Sequence, residues 1–121
     1  MEKFDLLTSA KQKILIVAHR GSAGGNIPCN TFASYEIALK QGADVIETDV
    51  EMSADGKLVW VNSIIYNYRD QLSGGHSDDT ALCSDMDDGW GWLARRGFDF
   101  IQTDWTGMLH TYLKENGLLY R

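Results

Sequence analysis

Residues 14–21 read Ile-Leu-Ile-Val-Ala-His-Arg-Gly, and this short stretch decides the class of fold. Its first five residues form an uninterrupted apolar run rich in β-branched side chains, which is typical of a strand buried on both faces. Strands of this kind occur mainly in parallel sheets. Two polar residues, His19 and Arg20, follow at the carboxyl end of the run, and a glycine-rich loop comes next. The stretch therefore predicts the first strand of a β/α unit, with polar side chains at the edge of the sheet.

Three further elements are predicted after this loop. A helix is expected over residues 30–41, because Asn30 is a good N-cap. Residues 43–52 are predicted to form a second strand and residues 57–61 a third. The two strands are separated by Asp55-Gly56, a dipeptide typical of tight turns, so they are expected to form a hairpin.

The second half of the chain is predicted to contain a long polar loop, a helix, a strand and a last helix, over residues 63–85, 87–96, 98–103 and 105–115 respectively. Alternating strands and helices favour α/β architecture. In such folds the active site lies at the carboxyl ends of the strands. Polar side chains at those ends are therefore the first candidates for function.

Two carboxylates on the predicted second strand suggest a metal site. Glu47 and Asp49 lie two residues apart, so they are expected to project from one face of the strand. Neighbouring carboxylates repel each other, and an apolar strand rarely holds two of them without a cation between them. A hard divalent ion, Mg²⁺ or Ca²⁺, is the cofactor that such a pair predicts. Two alternatives remain open: the carboxylates point to solvent from an edge strand, or one of them pairs with Arg20.

His19 and Arg20 form the second candidate site. A guanidinium group with fixed donors beside a titratable imidazole suits an anionic phosphate group. His76, from the predicted long loop, is a candidate substrate-binding residue. The alternatives are a satisfied core or loop histidine for His19 and an exposed loop histidine for His76.

A cluster of aspartates in the second half resembles a calcium loop only briefly. Arg96 stands where an EF-hand has its bidentate glutamate, so calcium binding is not predicted there. The cluster is instead expected to form a solvated loop with helix caps, and its members are Asp78, Asp79, Asp85, Asp87 and Asp88.

Length, charge and cysteine content narrow the class of protein. A chain of 121 residues is about the length of one small domain. Its formal net charge of −6 repels polyphosphates and anionic lipids, so nucleic acid and stable membrane insertion are not expected. No stretch resembles a signal peptide or a membrane span. Cys29 and Cys83 are expected to be free thiols, and a cytoplasmic location is predicted.

Four motifs stand in a specific order in the first 60 residues: Val-Ala-His-Arg-Gly (17–21), Pro-Cys-Asn-Thr (28–31), Gly-Ala-Asp-Val-Ile-Glu-Thr-Asp-Val (42–50) and Asp-Gly (55–56). Near the other end, residues 97–105 read Gly-Phe-Asp-Phe-Ile-Gln-Thr-Asp-Trp. In order and spacing these motifs closely resemble the glycerophosphodiester phosphodiesterase family. Within a single domain of residues 1–121, residues 1–63 resemble the amino-terminal part of the family and residues 64–121 its carboxyl-terminal part.

The resemblance implies a TIM-type barrel that uses a divalent metal ion to hydrolyse a small-molecule phosphodiester to glycerol phosphate and an alcohol. It implies that His19 is one of two acid/base histidines, that Arg20 binds the phosphate, and that Glu47 and Asp49 are metal ligands. In register with the second catalytic histidine the sequence has Asn62, whose neutral amide does not exchange a proton near pH 7. The family's third metal ligand, a glutamate from the middle of the barrel, has no counterpart in the sequence.

The chain is about half as long as the ~250 residues of a full (β/α)₈ barrel. The resemblance therefore implies a partial barrel of about four strands, made from the first and last strands of the family fold. Such a half-barrel leaves sheet edges and an apolar inner face uncovered, so a homodimer that closes the sheet is predicted. Two functions remain open: a metal-dependent phosphodiesterase with an incomplete active site, and a catalytically silent metal- and phosphate-binding or interaction module.

Overall fold

The computed structural model describes residues 6–60 and 75–120, and Asn62 lies outside these ranges. Within them the chain forms, in order, α1 (Leu6–Ala10), β1 (Leu15–His19), α2 (Phe32–Lys40), β2 (Val45–Glu47), β3 (Val50–Met52), β4 (Leu58–Trp60), α3 (Asp78–Cys83), α4 (Trp92–Arg95), β5 (Phe100–Thr103) and α5 (Thr106–Glu115). A π-helical turn, Asp87–Gly91, runs directly into α4. The order of strands and helices confirms α/β architecture. No helix in the described ranges is long and apolar enough to span a membrane.

β1 is the central strand of a three-stranded parallel sheet with the order β2-β1-β5. Val17 pairs with Val45 on one side and with Gln102 on the other, and His19 pairs with Glu47. The apolar run of β1 is thus buried between two neighbours, as its composition predicts. The last strand lies beside the first, as expected for the partial barrel. Closure of a barrel and the homodimer stay predictions.

The main core lies between this sheet and the helices of the second half. Ile16 of β1 and Ile101 of β5 pack with Trp90 of the π-helical turn and with Leu109 and Leu113 of α5, each no more than 3% exposed. A smaller cluster around α2 is built from short side chains, namely Ala18, Ala38 and Ala43. Short side chains let α2 approach the sheet closely, which brings the loop before α2 to the carboxyl ends of the strands.

The predicted second strand is in fact two strands in different sheets. β2 ends at Glu47, and β3 begins at Val50 and pairs antiparallel with β4. The hairpin between β3 and β4 is confirmed, and Gly56 in its turn has a φ of +81°, which glycine adopts without steric cost. Because the chain changes sheets after Glu47, Asp49 lies at a corner. The prediction that Glu47 and Asp49 share one strand face was therefore wrong.

Helix α2 begins later than predicted, and its N-cap is Thr31 rather than Asn30. Thr31 Oγ1 accepts a hydrogen bond from the Ser34 backbone N–H at 3.2 Å, and Ser34 Oγ accepts one from the Thr31 N–H at 3.1 Å. This reciprocal pair is a capping box. Asn30 is therefore free of the capping role, and its φ of +55° marks a turn of the backbone just before the helix.

The predicted long polar loop contains helix α3, capped by the hydroxyl of Ser77. The remainder of that loop, up to residue 74, lies outside the described residues. The helix predicted over residues 87–96 begins as a π-helical turn, and its N-cap is Met86 instead of an aspartate. Cys29 and Cys83 form no disulfide with each other.

Tyr112 links helix α5 to the π-helical turn by a hydrogen bond. Its hydroxyl donates a hydrogen bond to the Asp87 carboxylate, which also accepts one from the Arg95 guanidinium at 3.2 Å. Burial, and after it the bond to Asp87, raises the pKa of Tyr112 to about 12. An unfolded tyrosine has a pKa of about 10. The folded chain therefore holds the phenol proton more strongly than the unfolded chain does.

We expect the free energy of unfolding to fall as the pH rises from about 10 to about 12, because the unfolded state loses the Tyr112 proton first. Urea unfolding followed by circular dichroism at a series of alkaline pH values measures this fall. Tyr112→Phe, which lacks the ionisable group, is the control and should show a smaller fall over the same range. An equal fall in both proteins would contradict the prediction.

Candidate active site

Three polar side chains meet where the strands of the parallel sheet end. His19 is the last residue of β1, and its register partner Glu47 is the last residue of β2. Asp104 directly follows β5, the other neighbour of β1. Since the carboxyl ends of parallel strands share one edge of a sheet, three distant chain segments deliver their side chains to one place. His19 lies between the two carboxylates.

The His19 imidazole bonds one carboxylate and faces the other. Nδ1 lies 2.8 Å from Asp104 Oδ1, and Nε2 lies 3.9 Å from Glu47 Oε2. A carboxylate oxygen only accepts, so the hydrogen-bond network assigns the proton to Nδ1. In the neutral ring, Nε2 is then the nitrogen that gains a proton. The His19 side chain is 10% exposed, so it is mostly enclosed by protein but is still in contact with solvent.

Arg20 is held inside the chain by Asp49. Its Nε lies 2.9 Å from Asp49 Oδ2, and Asn30 Nδ2 donates to the same oxygen at 2.9 Å. The backbone N–H of Arg20 donates to the Glu47 carbonyl oxygen at 3.0 Å. Both predicted metal ligands thus adjoin Arg20. The alternative in which one carboxylate pairs with Arg20 is confirmed for Asp49.

The backbone at Arg20 takes a conformation that side chains rarely adopt. Arg20 and Asn30 have φ values of +59° and +55°, and the Asn30 N–H donates to the Arg20 carbonyl oxygen at 2.9 Å. At Gly21, with a φ of +80°, a Cβ would lie 2.7 Å from the backbone carbonyl carbon of Ser34. Only glycine fits there. Non-glycine residues in the left-handed region concentrate at functional sites. Here one of them, Arg20, forms the ion pair with Asp49, and the other, Asn30, donates a hydrogen bond to Asp49.

Glu47 and Asp49 are the two carboxylates that the sequence predicts as metal ligands. In the described ranges, no group of three His, Cys, Asp or Glu side chains is arranged to hold a metal ion. Mg²⁺, however, is commonly held by one or two carboxylates together with phosphate oxygens and water. The oxygen chemistry of the pair fits this second pattern. Asp49 is paired with Arg20 and its side chain is 17% exposed, so Glu47, at 34%, is the more accessible of the two carboxylates.

His76 packs against the start of α4. Its ring stacks on that of Trp92, with centroids 3.8 Å apart, and its Nδ1 donates a hydrogen bond to the Asp88 carbonyl oxygen. In the part of the chain that the structure describes, these contacts do not link His76 to His19. The substrate-binding role of His76 stays a prediction.

Asp104 and Asn30 belong to the site, although the sequence pattern indicates only helix-terminal roles for them. The signal that identifies Asp104 is its position, because it directly follows a strand, as Arg20 follows β1. Asn30 carries no such signal, since its contact depends on left-handed backbone. Asp78, predicted in a solvated loop, instead accepts a hydrogen bond at 2.8 Å from Nε1 of the buried Trp90.

The chain has a histidine and carboxylates at the carboxyl edge of a parallel sheet. It therefore belongs to the class of α/β proteins whose polar site is built from residues at the strand ends. Comparison of the whole sequence with family models adds the family. Residues 1–113 match DUF4996, described as a domain of unknown function, and the chain belongs to this family.

Part of the chain is also similar to curated phosphodiesterases. It is 55% identical over 47 residues to a glycerophosphodiester phosphodiesterase of Bacillus subtilis, covering 39% of this chain and 16% of the relative. It is 49% identical over 47 residues to a probable glycerophosphodiester phosphodiesterase 1 of Mycobacterium tuberculosis, covering 39% and 17%. A glycerophosphodiester phosphodiesterase of Treponema pallidum is 42% identical over 60 residues, covering 50% and 17%.

The matched segments thus span less than a fifth of the length of these relatives. The resemblance to the glycerophosphodiester phosphodiesterase family is confirmed for that part of the chain. No solved structure matches the sequence.

Proposed function

We propose that the chain hydrolyses glycerophosphodiesters to glycerol phosphate and an alcohol, in a reaction that depends on a divalent metal ion. The observation that carries the proposal is the His19 imidazole, whose Nδ1 is held by Asp104 while Nε2 faces Glu47. A histidine oriented through one nitrogen has the other available for proton transfer. The partial identity to proteins named glycerophosphodiester phosphodiesterase supports the substrate class.

The residues of the site have different tasks in the proposed reaction. His19 Nε2 takes a proton from the water that attacks phosphorus, or gives a proton to the alcohol as its bond to phosphorus breaks. Asp104 keeps the proton on Nδ1 and stabilises the imidazolium as it forms. Arg20, which is always charged, provides fixed positive charge for the phosphate group, and Asp49 holds it in place.

A divalent metal ion, Mg²⁺ or Ca²⁺, belongs to the proposal. Glu47 and Asp49 are the residues that would hold it, with phosphate oxygens of the substrate and water as the other ligands. When bound, such an ion supplies a Lewis acid that stabilises negative charge on the phosphate oxygens.

The experiment is to incubate the whole chain with glycerophosphocholine and to measure the release of glycerol phosphate with a coupled enzyme. We expect release in the presence of Mg²⁺ or Ca²⁺. EDTA should lower the rate by about 100-fold or more, because Lewis-acid stabilisation is worth several kcal/mol. Renewed activity after the ion is restored is the control for damage by the chelator. No release with either ion would overturn the proposal.

A catalytically silent binding module is the second candidate function. The Arg20–Asp49 ion pair favours it, because this contact neutralises a proposed metal ligand from within the chain. Calorimetric titration with glycerol phosphate in the presence of Mg²⁺ separates the two functions. Binding without turnover that is lost in Glu47→Ala supports the module, and turnover supports the enzyme.

A further inference from the structure

We infer that Asp78, at the start of α3, is a positioning residue for the His19–Asp104 pair. The inference rests on the proposed function, because that function gives the His19–Asp104 pair its role in catalysis. The hydrogen bonds of Asp78 are part of the fold and do not depend on that role. Asp78 accepts a hydrogen bond from the backbone of Asp104. It acts through the backbone that carries Asp104, at the point where β5 ends.

The Asp78 carboxylate bonds the end of β5 through one oxygen. Oδ2 accepts a hydrogen bond from the Asp104 backbone N–H at 2.9 Å and another from Thr103 Oγ1 at 3.0 Å. Thr103 is fully buried, and its Oγ1 in turn accepts from the Trp105 N–H at 2.9 Å. Three consecutive residues at the end of the strand, Thr103 to Trp105, are therefore held by one hydrogen-bonded chain that ends on Asp78.

The other oxygen of Asp78 ties this chain to the core. Oδ1 accepts from Nε1 of Trp90 at 2.8 Å, and Trp90 is fully buried. The carboxylate thus connects a fully buried side chain of the core to the turn that carries Asp104. One oxygen thus bonds the core and the other bonds the turn.

Asp104 needs such an anchor because its own side chain is 45% exposed. An exposed carboxylate loses rotamer freedom when it is held in one position, and water competes for its oxygens. The 2.8 Å contact with His19 Nδ1 is favoured when the backbone under Asp104 is already fixed. Displacing a catalytic group by about 1 Å costs roughly 100-fold in rate.

Comparing Asp78→Asn with Asp79→Asn separates the effect of positioning from the effect of charge. An asparagine has a single acceptor oxygen, which cannot serve both Trp90 and the turn after β5, whereas the carboxylate has two. The matched control is Asp79→Asn, the same change of charge at the next residue of α3, whose side chain is exposed. Thr103→Val is a second, shape-conserving variant that removes the hydroxyl bond to Asp78 and, with it, the acceptor of the Trp105 N–H.

The readout is the tautomer of His19, measured at one fixed pH by long-range ¹H–¹⁵N NMR of the ring nitrogens. In the native chain and in Asp79→Asn we expect the proton on Nδ1. In Asp78→Asn and in Thr103→Val we expect a substantial population with the proton on Nε2. In the glycerophosphocholine assay, kcat of Asp78→Asn should fall by about 10- to 100-fold with little change in KM.

An unchanged His19 tautomer in Asp78→Asn would overturn the positioning role, even if the native chain hydrolyses its substrate. If Asp78→Asn does not fold, an unchanged tautomer in Thr103→Val would overturn it in the same way. A shifted tautomer in a chain that shows no hydrolysis would support the positioning role and refute the proposed function. An equal shift in Asp79→Asn would show a general effect of charge and overturn the inference.

Discussion

Replacing His19 by alanine is expected to lower kcat for glycerophosphodiester hydrolysis by about 10²- to 10⁴-fold, the usual contribution of a positioned acid/base group. KM should change little, because Arg20, the proposed phosphate-binding residue, is unaltered. Asp104→Asn should cause a smaller loss, since the ring keeps Nε2 but loses the carboxylate at 2.8 Å that orients it. The steady-state rate of glycerol phosphate release gives kcat and KM for the native chain, His19→Ala and Asp104→Asn.

His110 provides the matched control for this experiment. It lies on α5 and its ring packs close to Gly42, before β2 begins, so His110→Ala removes a histidine away from the strand ends. His110→Ala should keep the native kcat, and circular dichroism should show that all variants fold. A native kcat in His19→Ala would contradict the acid/base role.

The second large effect is expected in the core. Trp90→Ala should lower the free energy of unfolding by about 3 to 5 kcal/mol, the range for aromatic truncation in a core. Trp90 is fully buried, its ring centroid lies 6.2 Å from that of Tyr112, and its Nε1 donates to Asp78. The substitution therefore removes packing and a buried hydrogen bond together. Domains of this size are stable by only about 5 to 15 kcal/mol, so the loss is a large share.

Urea unfolding followed by circular dichroism measures this loss without depending on tryptophan fluorescence. Trp105→Ala is the control, because the Trp105 side chain is 52% exposed. Its loss should be below about 1 kcal/mol. Equal losses in the two variants would contradict the core position of Trp90.

The central strand and its histidine were predictable because local composition carries them. The apolar run at residues 14–18 is long enough to indicate a buried strand, and a polar residue at its carboxyl end indicates a site. The hairpin was predictable for the same reason, since Asp55-Gly56 is a local turn signal. The break in the predicted second strand was not, because an apolar run does not show where a chain leaves one sheet for another.

The partners of the site residues were less predictable than the residues themselves. Asp49 meets Arg20 only because the strand ends at Glu47, and Asn30 meets Asp49 only because Thr31 takes the capping role. These contacts depend on backbone φ values and on competition between neighbouring caps. A spacing rule for side chains on one strand does not include either effect.

The pairing of β1 with β5 has a consequence for biosynthesis. His19 and Asp104 are 85 residues apart in the sequence, and at the usual speed of translation this separation takes roughly 4 to 17 s to synthesise. During that interval the nascent chain can pair β1 with β2, while the other edge of β1 waits for its partner. An apolar strand with an unpaired edge is the kind of segment that chaperones protect. The histidine is therefore among the first residues of the site to leave the ribosome, and the carboxylate that orients it is the last.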